Sequence, residues 1–145
     1  MPAAVPAQLE VLAMTRVLVV HHDADVADDE ADALRRAGYE VVQCSGPIFA
    51  PCPIHAGLPC PAIDDADVVV YDVWATGEAD GGRSLIAGIE GLHPGTPVVL
   101  TSAGMEPNWV GPTATPNVVV LSGAPRGAAL VHAVEQALAT VAQPA

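Results

Sequence analysis

From Arg16 onward the chain alternates short, continuously apolar runs with stretches whose apolar residues recur at helical spacing. RVLVV (16–20), YEVVQC (39–44), ADVVVYDV (66–73), TPVVLTS (96–102) and NVVVLSG (117–123) are the runs. Each has strand length and lacks a polar alternation, as expected of a strand covered on both faces. Between the first two, Val26, Ala27, Ala31, Leu34 and Ala37 share a helical face, Asp23 and Asp25 offer N-caps, and Gly38 offers a C′ residue. The acids of this helix lie on its other face and near its start, where the macrodipole favours them. Leu85, Ile86, Ile89 and Leu92 mark a second helix, and Leu130, Val134, Ala137 and Val141 stripe a last one over about 127–140. Two stretches break the alternation. Residues 45–61 carry Pro47, Pro51, Pro53, Pro59 and Pro61, which exclude a regular helix. Residues 103–117 carry Pro107, Pro112 and Pro116, leaving room for one turn around 108–110. Residues 1–15 have no clear period and read as a tail, so the domain spans 16–142.

Strands alternating with helices, each strand apolar throughout, imply a parallel sheet with helices on both faces. The expected fold is α/β, a flavodoxin-like doubly wound five-stranded sheet of order 2-1-3-4-5. Its second helix is replaced by a Pro/Cys-rich loop and its fourth is reduced. Function in such sheets gathers at the carboxyl ends of the strands. That selects His21, His22, Cys44, Asp72, Trp74, Thr101, Ser102 and residues 122–125.

Composition narrows the chemistry. The 145 residues include no Lys, and the net charge of −12 argues against a nucleic-acid or anionic-membrane surface. Aromatic residues make up 3%, too few for a base-stacking platform. No apolar run reaches the ~18 residues of a membrane span. The first residues lack the basic start of a secretory signal, so a cytoplasmic location is expected. Without lysine, a P-loop and a Schiff base are excluded. His93 and His132 read as solvated.

The replaced helix reads CSGPIFAPCPIHAGLPC, residues 44–60. Cys44, Cys52, His55 and Cys60 make a complete tetrahedral donor set for Zn²⁺, and the same count can hold an iron–sulfur cluster. A loop this long needs something to order it. His21 or His22, from the neighbouring strand end, is the natural replacement ligand. Other readings stay open: three separate buried thiols, a Cys52–Cys60 disulfide, a reactive thiol, or haem at the two Cys-Pro pairs.

The chain also resembles the receiver domain of two-component response regulators, over roughly residues 16–139. VLVVHHDADVADDEADALRRAGYEV has that family's strand, acidic turn, helix and AGYEV spacing; ADVVVYD, PVVLTS and LSGAPRGAALVHAVEQALA match later segments. The resemblance places Asp72 at the phosphorylated aspartate and Thr101 or Ser102 at the hydroxyl position. The family's acidic Mg²⁺ pair is replaced by His21 and His22, and its lysine by Ala124. Imidazole is a poor ligand for Mg²⁺, which takes hard oxygens, so no Mg²⁺ site is expected.

The expected function is a stand-alone, degenerate receiver-like regulatory module, not an enzyme, with metal or redox input at the Cys/His loop in place of phosphate. With Ala145 as the last residue, output is expected through contact with another protein or a second copy. That contact is expected at the last helix or the loop, with Trp109 and Arg126 at the rim. Two other readings remain: phosphorylation at Asp72 through a cation site using His21, His22 or Asp23, and a small-molecule binder or enzyme in the crevice at the strand ends.

Overall fold

The computed structural model describes residues 15–47, 51–73, 82–101, 117–121 and 127–142. Within them the five apolar runs form one parallel sheet: β1 (Arg16–Val20), β2 (Glu40–Cys44), β3 (Val68–Asp72), β4 (Val98–Thr101) and β5 (Val118–Leu121), in the order 2-1-3-4-5. Val17 stands beside Val41 on one side and Val68 on the other, and Val98 beside Val118. The helices are α1 (Ala24–Arg36), the single turn α2 (Pro61–Asp64), α3 (Arg83–Leu92) and α4 (Gly127–Ala142), with a 3-10 turn at Ile54–Ala56.

The pleat divides the strand residues between two cores. Val17, Val19, Val68, Val70 and Val99 pack with the apolar faces of α1 and α4. Leu18, Val20, Val69, Tyr71, Val98 and Leu100 pack with Ile54, Ile63 and α3. This double covering is why the runs show no polar alternation. The side chain of Asp23 caps α1, accepting from the backbone N–H groups of Asp25 (2.9 Å) and Val26 (3.2 Å). Gly38, at φ 102°, turns the chain out of α1 toward β2 in a conformation that favours glycine.

The proline-rich segment holds no long helix, yet its order differs from the expectation. Ile54 (6% exposed) and Ile63 (4%) are driven into the second core. Local backbone bonds, His55 N–H to Cys52 O, Leu58 N–H to Pro53 O and Asp64 N–H to Cys60 O, close the turns around them. Pro61 sits in the first turn of α2, where its missing N–H costs nothing. Burial and turn hydrogen bonds thus order the stretch from Cys52 to Asp64.

The 3-10 turn rests on α3 through a glycine. A Cβ built on Gly88 would lie 2.7 Å from Cγ2 of Ile54, whereas one on Gly91 meets nothing within 4 Å. Gly88→Ala is expected to lower the unfolding free energy by about 1–2 kcal/mol, because overpacking outweighs the gain in helix propensity. Gly91→Ala, the control, is expected to be neutral or to gain up to about 1 kcal/mol. Equal urea midpoints for the two variants would mean that the turn does not seat on α3.

Residues 1–14 of the expected tail (1–15), the reduced fourth helix, and Trp74, Ser102, Trp109, Ala124 and Arg126 lie outside the described residues. Among the described residues no helix is long and apolar enough to cross a membrane.

Candidate metal centre

Parallel pairing puts the carboxyl ends of β1 and β3 side by side, with Val20 opposite Tyr71. The next residues are His21 and His22 after β1, and Asp72 at the end of β3. The backbone N–H of His21 donates to Cys44 O at 3.1 Å, extending the β1–β2 ladder by one step and holding the turn in place. Asp72 is 3% exposed, and a carboxylate buried that far requires partners. His22 Nδ1 lies 2.8 Å from Asp72 Oδ2, and His21 Nε2 lies 3.7 Å from Oδ1. The two imidazoles stack, with centroids 4.9 Å apart and planes 16° from parallel. Thr101, at the end of β4, is buried and donates its hydroxyl to the carbonyl of Tyr71 (3.4 Å).

Hydrogen-bond partners assign the ring protons. A carboxylate only accepts, so His22 donates from Nδ1 and, when neutral, keeps a lone pair on Nε2. His21 Nδ1 accepts the backbone N–H of Asp23 at 2.9 Å, so a neutral His21 carries its proton on Nε2, the nitrogen nearer Asp72. Burial holds His21 below the ordinary imidazole range, against the opposing pull of Asp72. Asp23, considered above as a cation ligand, is occupied as the cap of α1.

One ligand atom each from His21, His22 and Asp72 fall within 4.8 Å of one another, the one such group of His, Cys, Asp or Glu among the described residues. Two imidazoles and a carboxylate are a donor set for zinc or ferrous iron and a poor one for Mg²⁺.

The four loop residues do not assemble in the same way. No three of Cys44, Cys52, His55 and Cys60 bring ligand atoms within that distance. Cys52 and Cys60 pack against the second core beside Ile54 and Ile63, and His55 is exposed. Sequence spacing counted these donors correctly but carried no information about their directions. All three cysteines are free thiols, so the Cys52–Cys60 disulfide is absent. Cys44 alone approaches the histidines: with His21, His22, Asp28, Gln43 and Ser45 it lines a cleft of about 460 Å³.

Two functional-looking residues escaped the sequence reading. His93 is 6% exposed rather than solvated. Its Nε2 accepts the backbone N–H of Cys60 (3.0 Å), and its Nδ1 lies 3.2 Å from Asp64, which ties α2 to the end of α3. Glu30 is 2% exposed, and neither of its carboxylate oxygens has a hydrogen-bond partner. Burial, aided by the charge on Asp72, pushes its carboxyl up to about 8.

No protein-family model matches the chain, and no curated protein matches it in sequence. Its likeness to solved structures is clear. NtrX from Brucella abortus, solved with ADP, is 25% identical over 88% of this chain, with a TM-score of 0.64. The chain spans about a quarter (26%) of that protein. A response regulator receiver protein from Sinorhizobium medicae is 20% identical, with a TM-score of 0.64, over 88% of this chain and 96% of its own. A response regulator receiver domain protein from Clostridium thermocellum is 17% identical, with a TM-score of 0.66, over 86% and 94%. The chain has the fold of response-regulator receiver domains.

Proposed function

We propose that the chain is a degenerate member of the receiver family, a non-enzymatic cytoplasmic module whose input is a transition metal rather than a phosphoryl group. His21, His22 and Asp72 are its ligands, and its output is contact with a protein partner. The observation that carries this reading is the 2.8 Å contact between His22 Nδ1 and Asp72 Oδ2, beside the second imidazole of His21. That contact commits the carboxylate which a phosphotransfer reaction would need as nucleophile. Phosphoryl transfer also needs positive charge around the transferred group. The chain has no lysine, and histidines stand where Mg²⁺ would want carboxylates.

Zn²⁺ is the preferred ion, because an iron–sulfur cluster calls for several thiolates and only Cys44 borders this cleft. Cys44 is the loop residue placed to join the site as a further donor. Cys52, His55 and Cys60 are left as a redox-responsive or second binding element of the same loop.

Two measurements on the purified protein test the reading. Equilibrium dialysis against Zn²⁺ is expected to give one ion per chain in the wild type and none in Asp72→Asn. Incubation with acetyl phosphate and Mg²⁺ is expected to leave the intact mass unchanged. A phosphorylated Asp72 with no zinc uptake would overturn the proposal in favour of an ordinary receiver.

A further inference from the structure

β2 is an edge strand whose two faces are treated differently. On one face Val41 is buried in the core under α1. On the other, Glu40, Val42 and Cys44 are all exposed, Val42 at 48%. Val42 stands in register with Leu18, which is 2% exposed, so the cover of this face stops between β1 and β2. In a doubly wound sheet a helix between β2 and β3 covers that strip. Here the prolines prevent it, and in the described part of the segment the turn at Ile54–Ala56 sits on α3, where Ile54 meets Gly88. What remains is a groove of about 230 Å³ lined by Arg16, Leu18, Val42, Ala62, Asp65 and Ala66.

The surroundings of the groove are acidic. Asp65 lines it and Asp67 lies beside it, its Oδ2 accepting the backbone N–H of Arg16 at 2.8 Å; both are exposed. The base on its wall, Arg16, is paired through its side chain with Glu40. We propose that this groove docks an amphipathic helix with a basic flank from a partner protein, which covers the strip that the described residues leave open. Charge selects this occupant. A second copy would bring a net charge of −12 against the same acids. The chain's own first fourteen residues hold one charged side chain, Glu10, of the same sign. The inference rests on the protein-contact part of the proposed function and is independent of its metal part.

The test uses an 18-residue leucine/lysine amphipathic helical peptide as the probe, with amide shifts of the whole protein as the readout. Shifts are expected at Glu40, Val42, Ala62 and Ala66, with at least tenfold weaker binding for Val42→Asp and for Asp65→Lys. Asp65 lies on an exposed turn, so its variant keeps the test valid should Val42→Asp fold poorly. A leucine/glutamate peptide is expected not to bind. Shifts confined to Asp25, Asp28 and Asp29 of α1, or full affinity in both variants, would overturn the proposal. So would a wild-type dimer, seen in sedimentation, that Val42→Asp dissociates, since the occupant would then be a second copy. Zinc uptake measured on the same samples reports the metal reading separately, so either can fail alone.

Discussion

Glu30→Leu is expected to stabilise the protein by about 3–5 kcal/mol at pH 9, and by much less at pH 5. The carboxyl of Glu30 ionises at about 8 in the fold against 4.5 as a free side chain. Below about pH 4.5 it is protonated in both states and does not affect the balance. Between about 4.5 and 8 the unfolded chain loses this proton while the folded chain keeps it, so stability falls as pH rises. Above about 8 the whole difference has been lost, at about 1.4 kcal/mol per pH unit. Glu30→Gln, which cannot ionise, separates this effect from the gain of burying an apolar side chain. His21 contributes with the opposite sign: its folded pKa is lowered, so it removes stability as pH falls below the ordinary imidazole value. The useful quantity is therefore the difference between wild type and Glu30→Gln, read from urea unfolding at pH 5 and pH 9. A difference that stays constant with pH would mean that Glu30 finds a partner or water in solution.

The second large effect concerns zinc. At a hundredfold excess over the dissociation constant, an ion that binds only the folded state adds about 2.7 kcal/mol. For a domain of this size that is a rise of roughly 10 °C in Tm. The rise is expected to vanish in Asp72→Asn and in His22→Ala, and to persist in Cys52→Ser and His55→Ala. The opposite outcome, loss in Cys52→Ser with Asp72→Asn unaffected, would return the metal to the proline-rich loop.

The fold was legible because two-face burial writes itself as unbroken apolar runs, and because the stripe of α1 is bounded by Asp23 and Gly38, each suited to one end of a helix. The centre was half legible. His21, His22 and Asp72 could each be placed at a strand end by the strand order, and adjacency of β1 and β3 then brings them together. The loop donors were legible as a count only, since ligand spacing says nothing of direction, and here Cys52 and Cys60 pack against the second core. Ile54 and Ile63 lie with them: each follows a cysteine by two or three residues, and both are buried in the second core. Glu30 fits the spacing of the α1 stripe, three residues after Ala27 and four before Leu34. An apolar pattern passes over it because a carboxylate is rarely buried without a partner.

The hydrogen bond from the Asp23 amide to His21 Nδ1 makes the ring and the helix start a single mechanical unit. A metal on Nε2 needs that nitrogen's lone pair, which moves the ring proton to Nδ1, where two donors would then face each other. The Asp23 amide would then have to swing away, and the same residue's carboxylate holds the amides of Asp25 and Val26. An ion held at Nε2 would thus act like a key turned at the first turn of α1, and amide exchange at residues 23–26 is where the turning would first be felt.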